Sequence, residues 1–177
     1  CLVTWNLTTY DIQELKDLFA WGSWTHDNFT WCGREVCTIA PDHLVVGQQG
    51  YIQGTTRGFV EPVQLATPMP LTPQQRTEFK SCVGSLQYVA SNSRPDVASV
   101  TSLCQGTNIT TLNLQQAYDA IDYLHDTSDV GIHIRGTNLE RPLVVGYGDS
   151  SWANADGSRT QIGLVICITD ETALTDD

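Results

Sequence analysis

The sequence predicts a mixed α+β fold, and three observations indicate it. Apolar residues recur every three or four positions through residues 73–125, which is the period of helices packed along one face. Short apolar or alternating runs typical of strands occur within residues 29–46 and again within residues 132–168. Four prolines between residues 62 and 73 mark a boundary inside the chain.

The first third of the chain predicts one helix and a small sheet. The helix runs from Thr8 to Trp21 with Thr8 or Thr9 as its cap, and Gly22-Ser23 ends it. Two short strands follow, with a hairpin turn at Gly33-Arg34, and a third strand comes after Pro41-Asp42. These strands, and a brief glycine-interrupted helix after them, are expected at residues 29–32, 35–39, 43–46 and 48–53.

The middle of the chain predicts three helices that pack on one another. Thr72 caps the first helix and Pro73 occupies its first position. This helix ends near Asn92, a second starts after Arg94-Pro95-Asp96, and a third runs from about Leu112 to His125. The breaks are short, so the helices should be antiparallel neighbours. The core that their apolar stripes predict comprises Phe79, Val83, Leu86, Val89, Val97, Val100, Leu103, Leu114, Ala117, Ile121 and Leu124.

The last third predicts an antiparallel sheet of three strands. They lie at Ile132–Ile134, Leu143–Tyr147 and Ile162–Ile168, and a polar connection joins the last two. Three strands are only marginally stable without a packing partner. We therefore expect one face of this sheet to need a cover.

Charge and composition exclude some functions. The 177 residues include 9 Lys and Arg against 20 Asp and Glu, a formal net charge of −11. A free-standing nucleic-acid binder normally presents a basic stripe, so this balance argues against one. No apolar run is long enough to predict a membrane span. The only methionine is Met69 and the sequence opens at Cys1, so we expect a segment of a longer chain.

Cysteines and sequons carry little functional information. The spacing of Cys32 and Cys37 leaves open a hairpin disulfide or half of a metal site. No second cysteine or histidine pair completes a zinc set, so structural or free thiols are expected. Asn-x-Thr sequons occur at Asn6, Asn28 and Asn108. Nothing else marks secretion, so an intracellular location is favoured and the sequons are interpreted as chance matches.

Five segments carry a resemblance, and they occur in a fixed order. They are FKSCVGSLQY at residues 79–88, SRPDV at 93–97, AIDYLHDT at 120–127, VGIHI at 130–134 and VGYGDSSWA at 145–153, followed by RTQIG at 159–163. This series is similar to copia-type retrotransposon polyproteins, whose corresponding patterns read F-x-x-x-V/I-G-x-L-x-Y, T-R-P-D-I/L, R-x-L-x-Y-L-x-x-T, x-G-L-x-F/Y and x-G-Y-x-D-A/S-D-W-A, followed by R-K/R-S-T/V-S/T-G. QQGYI at 48–52 and ATPMP at 66–70 resemble the family more loosely.

The resemblance implies a place within the polyprotein. Residues 1–66 correspond to a segment of the reverse transcriptase thumb and connection, with a small helix and hairpin. Residues 67–130 correspond to a three-helix connection, and residues 131–177 to the start of a ribonuclease-H-like antiparallel sheet. The paired aspartates of the polymerase palm are absent, and Asp176-Asp177 has no apolar strand after it.

Asp149 is the one candidate for a catalytic and metal-binding residue. In the family, the segment around it opens the ribonuclease H domain, which cuts the RNA of an RNA–DNA hybrid with two Mg²⁺ ions that clamp the reacting oxygens. A strand that ends in Asp can supply a first carboxylate ligand. The further carboxylates have no counterpart here, and Glu171 lacks their pattern. The simpler interpretation of Asp149 is a turn residue after a strand.

Other residues are interpreted structurally. Trp152 could stack on a base, but a core position is favoured because Trp is usually buried. Arg94 could touch phosphate or pair with Asp96. The acidic run on the third helix predicts a solvated face rather than a cation site. It comprises Asp119, Asp122, Asp126 and Asp129.

The function implied is that of a polyprotein segment, inactive by itself, whose parent uses Mg²⁺ and RNA–DNA hybrids. For this chain alone we expect no cofactor and only weak binding of hybrids. The alternative is a non-catalytic structural or binding subunit, with a protein partner that covers the incomplete sheet. The net charge of −11 favours this alternative, because a hybrid-binding surface should be basic.

Overall fold

The computed structural model describes residues 12–25, 27–61, 67–137, 140–153 and 158–171. Its helices are α1 (Ile12–Leu18), α2 (Gln49–Gly54), α3 (Pro73–Ala90), α4 (Ala98–Leu103) and α5 (Thr111–Asp126). Its strands are β1 (Phe29–Trp31), β2 (Arg34–Ala40), β3 (His43–Gly47), β4 (Ile132–Arg135), β5 (Leu143–Ser150) and β6 (Ile162–Thr169). The mixed α+β class is therefore confirmed. The cap predicted at Thr8 or Thr9, Pro62, and Asp176-Asp177 lie outside the described residues.

Strands β1 to β4 form an antiparallel sheet in sequence order. The hairpin between β1 and β2 is confirmed, but its turn lies at Cys32-Gly33, one residue earlier than predicted. Both turn residues have positive φ, 49° at Cys32 and 73° at Gly33. This is the backbone of the two-residue turn that matches strand twist, and glycine adopts it without steric cost.

The predicted three-stranded sheet of the last third is wrong in its pairing. The first of its strands, β4, pairs with β3 of the N-terminal sheet, with Leu44 opposite Ile134 and Val46 opposite Ile132. Strands β5 and β6 pair with each other over eight residues each, and within the described ranges no other strand pairs with either of them. Alternation fixes which faces a strand presents but does not fix which strand lies beside it. The ribonuclease-H-like identity of the β5–β6 hairpin stays a prediction, as do the domain boundaries.

The helices of the middle segment begin and end close to the predicted positions. Thr72 and Gln75 form a reciprocal cap on α3: the Thr72 Oγ1 accepts from the Gln75 N–H at 3.3 Å, and the Gln75 Oε1 accepts from the Thr72 N–H at 2.9 Å. Pro73 at the first position lacks only an N–H that would have no helical partner. A 3₁₀ turn, Pro95–Val97, leads into α4.

The hydrophobic core lies between α3, α4 and α5. Leu86 is fully buried, as predicted. Leu103 is a correction, because it is only half-buried and lies outside the core, whereas Thr101 and Cys104 are the buried residues at the end of short α4. Val83 and Val100 are partly buried against the core. The core comprises Ile52, Leu71, Phe79, Cys82, Leu86, Val89, Val97, Cys104, Leu114, Ala117, Tyr118, Ala120, Ile121 and Leu124.

Among the residues that the structure describes, no helix combines the length and the apolar character that a membrane crossing requires.

Candidate functional site

Asp149 lies near the end of β5, in the next-to-last residue pair of the β5–β6 ladder, opposite Gly163 of β6. Its side chain is exposed, and its Oδ1 accepts a hydrogen bond from the Ser150 N–H at 2.8 Å. The strand is longer than predicted: β5 continues to Ser150, so Asp149 lies within the strand and not in the connection after it. The local hydrogen bond is the kind that aspartates make with neighbouring backbone at the end of a strand.

The described residues bring no other metal ligands to Asp149. No group of three His, Cys, Asp or Glu side chains able to hold a metal ion occurs in the described part of the chain. Glu171 follows the far end of β6, where Thr169 pairs with Leu143. Six residues of strand separate Gly163 from Thr169, a distance of about 20 Å. Asp149 and Glu171 are therefore at opposite ends of the hairpin.

Trp152 is exposed, which corrects the prediction of a core position. Its side chain is 93% accessible. The reason is that β5 ends at Ser150, and among the described residues only β6 pairs with it. An exposed indole offers a flat apolar surface on which a base or an aromatic ring can stack.

One contact ties this end of the hairpin to the helices. The Gln161 Nε2 donates to the Ser99 backbone oxygen of α4 at 3.1 Å. Beside it, the Ser151 N–H donates to the Gln161 backbone oxygen at 3.0 Å. The segment that carries Asp149 is thus anchored to α4 through a single side-chain amide among these contacts.

Arg94 is a second candidate, and the structure gives it a structural role. Its side chain is buried, and its guanidinium binds two elements at once. The Nη2 lies 2.7 Å from an Asp96 carboxylate oxygen. The Nη1 donates to the Thr127 backbone oxygen at 2.7 Å, and the Nη2 donates to the Thr127 Oγ1 at 2.7 Å. Phosphate contact is therefore not available to Arg94 in this conformation, and its predicted pairing with Asp96 is confirmed.

Tyr123 completes the network around Arg94. Its hydroxyl donates to the Asp96 Oδ2 at 3.0 Å, and its ring lies 5.3 Å from the guanidinium carbon. Burial by itself would raise the pKa of Asp96, but the hydrogen bonds from Arg94 and Tyr123 outweigh burial. The pKa of Asp96 is therefore below its ordinary value, and the carboxylate is held in its charged form.

The QQGYI segment, at residues 48–52, contacts the SRPDV segment and α3. The Ser93 Oγ donates to the Oε1 of buried Gln48 at 2.9 Å. The ring of Tyr51 meets that of Tyr88 edge-on, with centroids 4.7 Å apart. The Tyr88 hydroxyl in turn donates to the Cys32 backbone oxygen at 2.8 Å, which joins α3 to the hairpin turn.

The acidic run on α5 is only partly a solvated face. Asp119 and Asp126 are exposed, as predicted, and Asp129 is exposed too but lies beyond the helix, which ends at Asp126. Asp122 instead pairs with Arg57 through two hydrogen bonds of 2.8 and 2.9 Å. The sequence did not indicate this pair because Arg57 lies 65 residues earlier, in a glycine-flanked loop.

The five described cysteines are free thiols. Cys32 and Cys37, the pair that could have closed a hairpin disulfide, are both exposed and unlinked. Cys82 and Cys104 are buried in the core, and burial raises the pKa of each thiol to about 11. Buried thiols with raised pKa values are poor nucleophiles, so these two are packing residues.

Sequence reasoning missed the partners of Arg94 on α5. Tyr123 and Thr127 are four residues apart and therefore lie on the same face of the helix. Their spacing was the available signal, but periodicity does not show which side chain will face them.

Comparison of the chain with protein-family models, with curated proteins and with solved structures found no match.

Proposed function

We propose that the chain is a segment of a copia-type retrotransposon polyprotein, positioned between the reverse transcriptase and ribonuclease H. In this role, the helical unit of α3 to α5 is a rigid connector. The β5–β6 hairpin is the first part of a ribonuclease-H-like sheet that further strands complete. The segment by itself has no polymerase or nuclease activity.

The observation that supports this proposal is that residues from separate motifs contact one another. Arg94 of the SRPDV segment binds Thr127 of the AIDYLHDT segment. Asp96 of the same segment accepts from Tyr123. The resemblance rests on the order and spacing of the segments, and Arg94, Asp96, Tyr123 and Thr127 from two of these segments form one hydrogen-bonded network. A rigid connector would need such hydrogen-bonding residues at these positions, because they hold the segments of the helical unit together.

Further contacts extend the same observation to two other segments. Gln48 of QQGYI binds Ser93, and Tyr51 packs on Tyr88 of FKSCVGSLQY. The first contact links the N-terminal region to the turn after α3, and the second links it to α3 itself. The matched residues thus support a structural module rather than a catalytic centre.

The residues around Asp149 do not fit a two-metal centre within the described part of the chain. Two Mg²⁺ ions need several shared carboxylate oxygens, and no group of three His, Cys, Asp or Glu side chains able to hold a metal ion occurs among the residues that the structure describes. We therefore assign no metal-dependent step to this segment alone. In the complete polyprotein, Asp149 is the residue that would contribute the first ligand.

A cleavage assay tests the lack of activity. The purified chain is incubated with an end-labelled RNA–DNA hybrid and Mg²⁺, and we expect no cleavage above that of a boiled sample. Asp149→Asn is the matched control. Mg²⁺-dependent cleavage that Asp149→Asn abolishes would show that the segment is a nuclease and would overturn this part of the proposal.

The flanking coding sequence tests the place in the polyprotein. We expect the upstream frame to encode a paired-aspartate motif between apolar strands, and the downstream frame to encode the remaining carboxylates of a ribonuclease H domain. A frame that encodes neither on either side would contradict the proposal.

One observation favours a second candidate, a non-catalytic structural or binding subunit. The β6 side chains Ile162, Leu164, Ile166 and Ile168 are all exposed and lie on one face of the hairpin. Contiguous exposed apolar surface of this kind marks an interaction site. An antibody raised against α5 would distinguish the subunit from the polyprotein segment. Detection of a stable complex that contains the chain at this length favours the subunit. Detection of a longer product favours the polyprotein.

A further inference from the structure

Two histidines meet on the open face of the N-terminal sheet. His43 begins β3 and lies opposite Arg135 of β4, and His133 lies opposite Val45. The two histidines are therefore diagonal neighbours on adjacent antiparallel strands, with side chains on the same face. The His43 Nε2 is 2.9 Å from the His133 Nδ1, and the ring centroids are 5.0 Å apart.

The backbone around this pair is held in place. Four consecutive residue pairs join β3 to β4. Beyond them, the Gly136 N–H donates to the Asp42 backbone oxygen at 2.6 Å and closes the end of the ladder. His133 is exposed and His43 is half-buried, so solvent and ions reach the nitrogens. Because the strands fix both Cα positions, the imidazoles need little ordering to act together.

We propose that His43 and His133 form a binding site for one divalent transition-metal ion. Their facing nitrogens are 2.9 Å apart, and metal–imidazole bonds are about 2.0–2.1 Å, so one ion can bind both nitrogens once the rings turn their lone pairs toward it. Imidazole is a ligand that suits Ni²⁺, Cu²⁺ and Zn²⁺, and affinity for nitrogen ligands increases through Ni²⁺ to Cu²⁺. Ni²⁺ is therefore a suitable probe of the pair.

Metal binding replaces the hydrogen bond between the rings. Without metal, one of the two facing nitrogens carries the proton that the other accepts. With metal, both facing nitrogens donate lone pairs, and the protons lie on His43 Nδ1 and His133 Nε2. The required ring rotation is about the Cβ–Cγ bond, a torsion with a broad distribution for histidine. No covalent bond of the protein changes.

Neighbouring charges set a modest affinity. No third His, Cys, Asp or Glu joins the pair in the described part of the chain, so water fills the remaining positions. Arg135, opposite His43, repels a dication, whereas Asp42 precedes His43 in the turn and attracts one. On the β2 strand of this face, Glu35 accepts from the Gly50 N–H at 2.7 Å, and Cys37 lies beyond Val45.

Titration calorimetry with Ni²⁺ tests the site on the untagged full chain, after alkylation of the exposed thiols so that they do not compete. We expect one Ni²⁺ per chain that is lost, or weakened about tenfold or more, in both His43→Gln and His133→Gln. The matched control is His125→Gln, at an exposed position on α5, which should bind Ni²⁺ as the unmodified chain does.

A second readout separates loss of the site from loss of the fold. Ni²⁺ should raise the unfolding temperature of the parent chain and of His125→Gln, but not that of His43→Gln or His133→Gln. Circular dichroism without metal should be the same for all four proteins. Equal Ni²⁺ affinity in all four proteins, or the absence of a Ni²⁺ site in the parent chain, would overturn the proposal.

Discussion

The side chains that matter most at the scale of single residues are those that solvent does not reach. Leu86 and Arg94 are both fully buried, but they stabilise the fold through different forces. Leu86 fills space in the core between α3 and α5, so its contribution is apolar burial and dispersion. Arg94 is a buried charge, which is tolerated only because hydrogen bonds to Asp96 and Thr127 replace its hydration.

Leu86→Ala should lower the free energy of unfolding by about 2–5 kcal/mol, the range for a leucine removed from a well-packed core. Chemical denaturation measures the change. Asp126→Ala is the control on the exposed face of α5, and it should stay within about 0.5 kcal/mol. Asp122→Ala is not a neutral control, since it breaks the half-exposed pair with Arg57 at a cost of about 0.2–1 kcal/mol. A Leu86→Ala change as small as that of Asp126→Ala would contradict the described core.

Arg94→Ala should lower the free energy of unfolding by about 1–3 kcal/mol, because it removes the buried donor to the Thr127 backbone oxygen and the ion-pair partner of Asp96. Arg76→Ala, on the exposed side of α3, is the matched control and should stay within about 0.5 kcal/mol. Thermal and denaturant unfolding of both variants gives the comparison. If the two arginine variants were equally stable, Arg94 would not be the centre of the network.

The Asp96 carboxylate should make stability depend on pH. Its pKa is below the ordinary value in the folded chain, so its contribution is present above the pKa of the unfolded state and is lost as the pH falls through the folded-state pKa. Asp96→Asn should therefore be less stable than the parent chain by about 1 kcal/mol near pH 7, the hydrogen-bond value reduced for exposure. The difference should shrink as the pH falls below about 3.9, the ordinary pKa of an aspartate. A difference that is constant with pH would argue against a charged Asp96 in the network.

At the scale of elements, the helices and the β5–β6 hairpin differ in how they are supported. Helices α3 and α5 share a continuous core and are linked through Arg94 and Thr127. The hairpin exposes apolar side chains such as Leu164 and Ile166, and it meets α4 through the Gln161–Ser99 hydrogen bond. An isolated two-stranded hairpin is marginally stable in water.

Amide hydrogen exchange should therefore be at least about tenfold faster in β5 and β6 than in α3 and α5. Mass spectrometry of peptides that cover residues 143–150, 162–169, 73–90 and 111–126 measures this difference. The N-terminal strand β3, paired on both sides, is an internal control and should exchange more slowly than β6. Equal protection of β6 and α5 would indicate that something covers the hairpin in solution.

At the scale of the whole molecule, the charge distribution opposes nucleic-acid binding. The chain contains 9 basic residues and 20 acidic ones. Two of the basic residues, Arg57 and Arg94, are already engaged with Asp122 and Asp96. Phosphate binding depends on Lys and Arg side chains that release counterions from the nucleic acid, and few such side chains remain in this chain.

The chain should therefore bind an RNA–DNA hybrid more weakly than about 1 µM at physiological salt, the tight end of non-specific binding. Fluorescence anisotropy with a labelled hybrid measures the affinity. Comparison of the hybrid affinity of Trp152→Ala with that of the parent chain tests whether the exposed indole contributes by stacking, which is worth about 1–3 kcal/mol per base. Submicromolar binding by the parent chain would show that a functional hybrid-binding surface exists.

The sequence by itself determined the local structure of this protein. The cap at Thr72, the proline at the first helical position and the 3–4 spacing of Phe79, Leu86 and Val89 are properties of neighbouring residues, and they set where α3 begins and which face it buries. The same holds for the strands of the N-terminal hairpin. Such features depend on propensity and period, which short stretches of chain contain completely.

The tertiary structure alone decided which elements meet. The pattern of β4 predicted a strand, but only folding placed it on β3, 85 residues or more away, rather than on β5. That pairing also creates the contact between His43 and His133. The burial of Arg94 and the exposure of Trp152 are decided in the same way, because both depend on what distant parts of the chain place beside them. Pairing and burial are long-range properties, and local spacing does not contain them.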